Sequence, residues 1–391
     1  MKDNYPGALR VAMAGAVTMG CAMGIGRFVY TPILPFMSEA LQLSASQAGL
    51  IASANFLGYL LGAMAVSMRL PGTPRFWLLG ALLVSAVTTA GVGLFSDVTI
   101  LALIRLLGGG ASAFCLVFAS ALVLETLARA HRPGLLAVHF AGVGIGIAGC
   151  AVVVFAATKL GVDWRGMWFV HGAITLAGAL VVAILIPRPA NPAKAAASAP
   201  AKPAPLKVAD WGGLIRLILA YALFGFGYVI TATFLVAIMR GTPELHPYEP
   251  VAWLVVGIAA VPSVSLWLWV ARRIGMERGY ALACGVEAIG VLCSLMPDLT
   301  GALVAAILMG GTFVGITALG LEAARLRAPA NPRRVVGLMT TGFSIGQIIG
   351  PTVAGYLRDL TGSFAEASIA AAIALALATA LTMPSRLGLR S

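Results

Sequence analysis

Twelve apolar runs of about 20 residues, a proline-rich break after the sixth, and a motif that returns 201 positions later predict an all-α membrane protein. The expected architecture is twelve transmembrane helices in two six-helix bundles related by a pseudo-twofold axis. Of the 391 residues 60% are hydrophobic and 10% charged, whereas a soluble domain carries about 25% charged residues. A helix rises about 1.5 Å per residue, so about 20 apolar residues cross a hydrocarbon core.

The runs fall at 9–36, 45–68, 76–95, 98–124, 134–158 and 165–186, and then at 211–239, 250–271, 279–296, 299–324, 335–357 and 364–384. The first continues from Leu9 past Tyr30. That is too long for the core of a cleavable signal, and none is expected. Its far end carries Pro32 and Pro35. Each removes a helical donor and clashes with the preceding turn, so a bend or unwinding is expected there. Between the sixth and seventh runs, residues 187–208 read PRPANPAKAAASAPAKPAPLKV. Such a segment cannot bury apolar surface and prefers extended conformations. It is the expected linker between bundles at 1–186 and 210–391.

Charge placement gives the orientation. Most of the 26 Lys and Arg collect at one side of the expected membrane, among them Arg69, Arg75, Arg129, Arg132, Arg272, Arg273, Arg278, Arg325, Arg327, Arg333 and Arg334. Lys159, Arg165, Arg240 and Arg358 fall on the other. The positive-inside rule then puts both termini in the cytoplasm of an inner-membrane protein. The formal charge of +12 is a topological signal, because these charges sit in short loops without a basic face, and no nucleic-acid partner is expected. The five cysteines (Cys21, Cys115, Cys150, Cys284, Cys293) all fall within runs and form no CxxC pair. The four histidines have no ligand spacing. No metal and no cofactor is expected. With no P-loop, ATP is not the expected energy source.

The bundles repeat in detail. GIGRFVYTPILP at 24–35 returns as GFGYVITATFLV, so Gly24 and Gly26 match Gly225 and Gly227, and Arg27 matches Tyr228. Leu107-Gly108-Gly109 is echoed by Met309-Gly310-Gly311, and Arg132 and Gly149 by Arg333 and Gly350. Six spans per bundle give both the same orientation, with the repeat axis along the membrane normal.

These residues resemble the major facilitator superfamily of secondary transporters over the whole chain. The carriers are the 6+6 layout, Arg105-Leu-Leu-Gly-Gly109, the glycine-rich GVGIGIAG at 142–149, and GQIIGPTVAGYLRDLTG at 346–362. GIGRFVYTPILP and GFGYVITATFL are similar to the YbfB/YjiJ-type subgroup in particular. The resemblance implies alternating access about a midplane site, coupling to protons, and a role of Arg105 in that coupling. The superfamily's usual loop after the second span contains an Asp–Arg pair. Here GAMAVSMRLPGTPR keeps only Arg69, Gly72 and Arg75, and ARRIGMER after the eighth span also lacks the Asp.

Gly20, Gly24, Arg27 and Thr31 are spaced to share one helix face. An arginine at mid-bilayer costs at least about 2.5–3.5 kcal/mol, so Arg27 needs a partner. The guanidinium fork suits a carboxylate. The candidate substrate-binding set is Arg27, Tyr30, Thr31, Asn55, Tyr228, Thr231 and Gln347. Arg105 and Glu287 are the candidate coupling or structural charges. Gly24, Gly26, Pro32, Gly109, Gly225, Gly227, Gly350 and Pro351 are candidates for hinges or close packing. His139 and His171 are expected as packing residues. Glu125 and Glu322 are expected to pair with Arg129 and Arg325.

The expected function is secondary transport of a small solute, an organic anion or amino-acid-like compound, by a monomer in the lipid bilayer with proton coupling. Efflux of amphipathic compounds is the alternative, and a non-transporting receptor or scaffold a remote one. No enzymatic chemistry is expected.

Overall fold

The computed structural model describes residues 5–68, 70–188, 210–328 and 332–383, and every regular element among them is a helix. The expected linker beyond residue 188, Arg69 and the Arg333 side chain lie outside the described residues. The first apolar run is α1 (Tyr5–Met19), a π-helical segment (Gly20–Ile25) and α2 (Tyr30–Leu41). There follow α3 (Ala45–Val66), α4 (Pro74–Val92), α5 (Val98–Arg129), α6 (Leu136–Lys159) and α7 (Trp164–Leu185). After the linker come α8 (Trp211–Arg240), α9 (Glu249–Ile274), α10 (Met276–Cys293), α11 (Leu299–Arg327), α12 (Pro332–Thr361) and α13 (Ala365–Thr382).

Among the described residues, 10 helical segments are long and apolar enough to cross a membrane, with Gly7–Leu41 counted as one. Helices α10 and α12 are less apolar. The first carries Glu277, Arg278 and Glu287, and the second has Gln347 and several Thr, Ser and Gly residues.

The scarce acids are spent on helix starts. Asp97, Asp163, Asp210 and Asp298 are the N-caps of α5, α7, α8 and α11, accepting from the backbone N–H of Ile100, Gly166, Gly213 and Gly301. A capping carboxylate satisfies a donor that the helix itself leaves orphaned. Ser44 and Gln47 form a capping box at α3, and Thr73 caps α4.

Glycine sets which helices touch. A Cβ on Gly109 of α5 would lie 1.9 Å from the Asn55 carbonyl oxygen of α3, and one on Gly225 of α8 would lie 2.4 Å from that of Phe343 on α12. The same device joins the N-terminal segment to the C-terminal one. A Cβ on Gly49 of α3 would meet the Pro351 oxygen of α12 at 2.2 Å, and one on Gly257 of α9 would meet the Ala148 nitrogen of α6 at 2.2 Å. Without a hydrophobic drive between helices in lipid, such backbone proximity is a main source of attraction.

Polar bonds add to these contacts at the end of the molecule away from the termini, called distal below. Asp359 of α12 accepts from the Ala45 and Ser46 N–H groups at 2.9 Å each and from the Ser46 hydroxyl, so it caps α3 across the segments. Arg240 of α8 reaches Glu39 at 3.7 Å, holds Glu249 through both carboxylate oxygens, and lies 4.0 Å from the Phe36 ring centroid. At the opposite end Glu277 of α10 pairs with Arg327 of α11 at 2.6 Å. Glu277 lies in the first turn of α10, within the ARRIGMER stretch that lacks an Asp. The expected pairs Glu125–Arg129 and Glu322–Arg325 form at 2.5 and 3.6 Å. His139 contacts the Ser120 hydroxyl and His171 the Met167 carbonyl, both buried in packing positions.

Candidate functional site

The site begins with a break in the first span. Over Gly20–Ile25 the helix widens, with Gly26 N–H donating to Cys21 O and Phe28 N–H to Met23 O, each five residues back. Residues 26–29 form a turn before α2 resumes at Tyr30. The break therefore precedes Pro32. A bend was expected at the far end, yet α2 runs through Pro35 to Leu41. Pro32 lies in the first turn of α2, where a missing N–H is least costly. Gly24 permits the widening: a Cβ there would sit 2.5 Å from the Gly146 Cα of α6. Single π-turns inside helices occur frequently at functional sites.

Arg105 of α5 answers the carbonyls that the break releases. Its guanidinium donates to Gly26 O at 2.7 Å and Arg27 O at 3.1 Å, and it lies 5.3 Å from the Tyr30 ring centroid and 5.8 Å from that of Trp168. Asn55 of α3 donates to the Arg105 carbonyl at 2.9 Å, which ties α3 to α5 at this level. The Tyr30 hydroxyl donates to Ala48 O at 2.9 Å.

The break aims Arg27 at the C-terminal segment. Its guanidinium donates to Gln347 Oε1 of α12 at 2.6 Å, and Gln347 Nε2 donates to the Tyr228 hydroxyl of α8. The Phe56 and Tyr59 ring centroids lie 4.6 and 4.7 Å from the Arg27 carbon Cζ. Such a cation–π cage compensates part of the lost hydration. Arg27 is 5% exposed and Gln347 is fully buried. Tyr228 in turn stacks with both Phe313 and Phe343, with centroids 5.8 Å away in each pair and interplanar angles of 8° and 1°. One file of rings and donors thus runs from the first span to α11 and α12.

Thr31 donates to the Ala232 carbonyl at 2.6 Å, a bond between positions 201 apart, the offset of the sequence repeat. A narrow cleft next to this contact is lined by Arg27, Arg105, Tyr30, Thr31, Phe56 and Thr233, with Phe28, Ala52, Val229 and Ala232. Its free space is that of roughly one water molecule.

The structure brings Arg27, Tyr30, Thr31, Tyr228, Gln347 and Arg105 together, with Asn55 behind Arg105. Thr231 is buried with its hydroxyl unpartnered, and Thr233 lines the cleft instead. Glu287 of α10 is fully buried, and neither carboxyl oxygen has a hydrogen-bond partner. Among the glycines and prolines, Gly26 faces Ser85, Gly227 faces Ala371 and Leu375, and Gly350 faces Val229 and Phe226. Pro351 lies inside α12 against Gly49. Sequence reasoning passed over Phe56, Tyr59, Phe313 and Phe343. Their only sequence signal is an aromatic ring within an apolar run, which ordinary packing residues share.

The family model of the uncharacterised MFS-type transporter YbfB matches residues 19–383. A solved nucleoside transporter, NupG with a D323A substitution, is similar in fold at 13% identity and a TM-score of 0.70, covering 96% of this chain and 98% of its own. NupG without the substitution gives 14% identity and a TM-score of 0.68, over 95% and 98% of the two chains. Among curated proteins there is no sequence match. A match across nearly the whole chain and a shared helical fold identify a multi-pass membrane transporter that is not an enzyme: the chain belongs to the YbfB family of MFS-type transporters.

Proposed function

We propose that the chain moves a small solute, an organic anion or amino-acid-like compound, across the inner membrane by alternating access with proton coupling. Two six-helix bundles, residues 1–186 and 210–391 joined by the linker at 187–209, rock about a site near the midplane. The twelve spans leave both termini in the cytoplasm, as the distribution of Lys and Arg supports. The transporter works as a monomer.

The observation that carries this reading is the Arg27–Gln347–Tyr228 chain. It joins the two bundles through a buried cation whose partner is a neutral amide. A substrate carboxylate is a stronger acceptor for a guanidinium than an amide oxygen. Binding then replaces Gln347 on Arg27 and loosens a bond between the bundles. With the distal end held by Arg240–Glu39 and Asp359, the bundles sit in a conformation closed toward the outside. Tyr30, Thr31, Thr231 and Asn55 supply further polar groups around the solute. Arg105 and Glu287 serve coupling or structure, and the small residues at 24, 26, 109, 225, 227 and 350, with Pro32 and Pro351, serve hinge motion and packing.

The test is uptake into proteoliposomes with a panel of carboxylates and amino acids, at matched protein content. Arg27→Ala abolishes uptake and Arg27→Lys weakens it, because an ammonium cannot replace the planar fork. Near-normal uptake by the alanine variant defeats the reading.

Efflux of amphipathic compounds is the second reading, supported by the stack of Tyr221, Phe224, Tyr228, Phe313 and Phe343. Drug susceptibility of a deletion strain separates the two, since solute uptake predicts no broad shift.

A further inference from the structure

Two guanidinium groups line the central cleft, and no carboxylate lines it with them. Arg27 is 5% exposed and Arg105 4%. Among the described residues, the ion pairs all lie elsewhere, on Arg129, Arg240, His246, Arg325 and Arg327. The partners of the two cleft arginines are neutral: a glutamine amide for Arg27, two backbone carbonyls for Arg105. Each keeps an Nε–H without an acceptor. Neutral acceptors satisfy hydrogen bonds but leave both charges standing in a low-dielectric interior, where they act strongly on any ion that enters. The one buried acid of the central region, Glu287, is on α10 and does not line the cleft.

We propose that the transported solute is a small organic dianion, a dicarboxylate, with one carboxylate answering Arg27 and the other Arg105. This rests on the transporter reading and narrows its substrate class. The remaining polar side chains of the cleft are the hydroxyls of Tyr30, Thr31 and Thr233; the first two donate in this conformation to Ala48 O and Ala232 O, and turn to a carboxylate only when the bundles part. No cleft side chain carries a negative charge to receive an ammonium group, so a zwitterion leaves one of its charges unmatched. Phe28, Phe56 and Val229 flank the carbon chain between the two ends. The cleft is tight in this conformation, and admitting the dianion requires the bundles to part at Gln347.

Purified full-length protein tests this by thermal shift and isotherms with dicarboxylates of four to six carbons, monocarboxylates of equal length, inorganic phosphate, a phosphate monoester and neutral amino acids. A dicarboxylate binds at least tenfold tighter than its monocarboxylate counterpart, about 1.4 kcal/mol. Arg105→Gln removes that preference, weakening dicarboxylate binding more than monocarboxylate binding. Should Arg105→Gln fail to fold, the selectivity of the unmodified protein decides alone. A monocarboxylate or amino acid binding as tightly as the dicarboxylate overturns the proposal. So do phosphate compounds binding tighter than any dicarboxylate, a preference that survives Arg105→Gln, and no dicarboxylate binding at millimolar concentration. The two readings fail differently. Arg27-dependent uptake of monoanions without preference sinks the dianion and leaves the transporter reading intact, whereas uptake indifferent to Arg27→Ala sinks the transporter reading itself.

Discussion

The first span and helix α8 carry the same glycine pair 201 positions apart, yet one breaks and the other does not. Gly24 and Gly26 lie at a π-helical break, whereas Gly225 and Gly227 lie inside the unbroken helix Trp211–Arg240. Glycine at this position is permissive and not decisive. Two other differences separate the copies. At the offset of 201 shared by the glycine pair, Pro32 corresponds to Thr233, which keeps its backbone N–H, and Arg105 to Ala306, which can donate nothing to a carbonyl. In the first span a guanidinium stands ready to receive the carbonyls that the break releases. Among the described residues no guanidinium donates to the α8 carbonyls at this level, where only the Thr31 hydroxyl reaches Ala232 O, and in an apolar interior an unpaired carbonyl costs several kcal/mol. The helix therefore stays whole and presents Tyr228 from a rigid frame, while the broken copy extends Arg27 toward it.

This comparison can be broken in graded steps. The largest effect is expected from Arg105→Ala. It removes two charge-assisted bonds and strands the Gly26 and Arg27 carbonyls, so stability falls by about 4 kcal/mol. A fall in melting temperature of the detergent-purified protein, together with lost uptake, checks it. An unchanged melting temperature would mean that the break stands without the guanidinium.

Thr233→Pro comes next, because it imposes on α8 the proline of the first span without the compensating arginine. A proline in a helix interior costs about 3 kcal/mol. Adding Ala306→Arg should recover part of the loss, and thermal melting of the single and double variants reads the difference.

Gly24→Ala drives a methyl to within 2.5 Å of the Gly146 backbone. Overpacking of this kind costs about 1–3 kcal/mol. The same change at Gly149, which faces open space, should be neutral in a parallel melt.

Tyr228→Phe is the mildest change. It keeps the stack with Phe313 and Phe343 and loses only the bond from Gln347, about 1 kcal/mol. The solute affinity is expected to change more than the melting temperature, and isothermal titration against the best ligand compares the two. Equal changes in both would mark the hydroxyl as a packing group.

Much of the fold was legible in the chain. The apolar runs mark the helices to within a few residues, because lipid demands continuous hydrogen-bonded apolar segments and leaves few alternatives. Arg27 was legible as an oddity, since a charge in an apolar run stands out against its neighbours. Gln347 and Tyr228 were visible as candidates, but their connection was not: Arg27 and Gln347 are 320 positions apart. The position of the break was read too far along the span, because proline is a conspicuous signal and a glycine contact with another helix is not. Thr231 and Thr233 differ by two positions, about 200° of helix rotation, and only packing decides which of them faces the cleft.

The chain alone determined its solvent and its symmetry: helices long enough for a bilayer, acids and hydroxyls where helices begin, and a repeat that makes one half resemble the other. Those properties are local or periodic, so they survive in one dimension. Tertiary structure decided which carbonyls Arg105 takes, which neighbour Arg27 finds, and that two positive groups share one cleft without an acid. Each of these depends on distances between residues remote in the chain, and helix packing sets such distances through backbone contacts that no single residue announces.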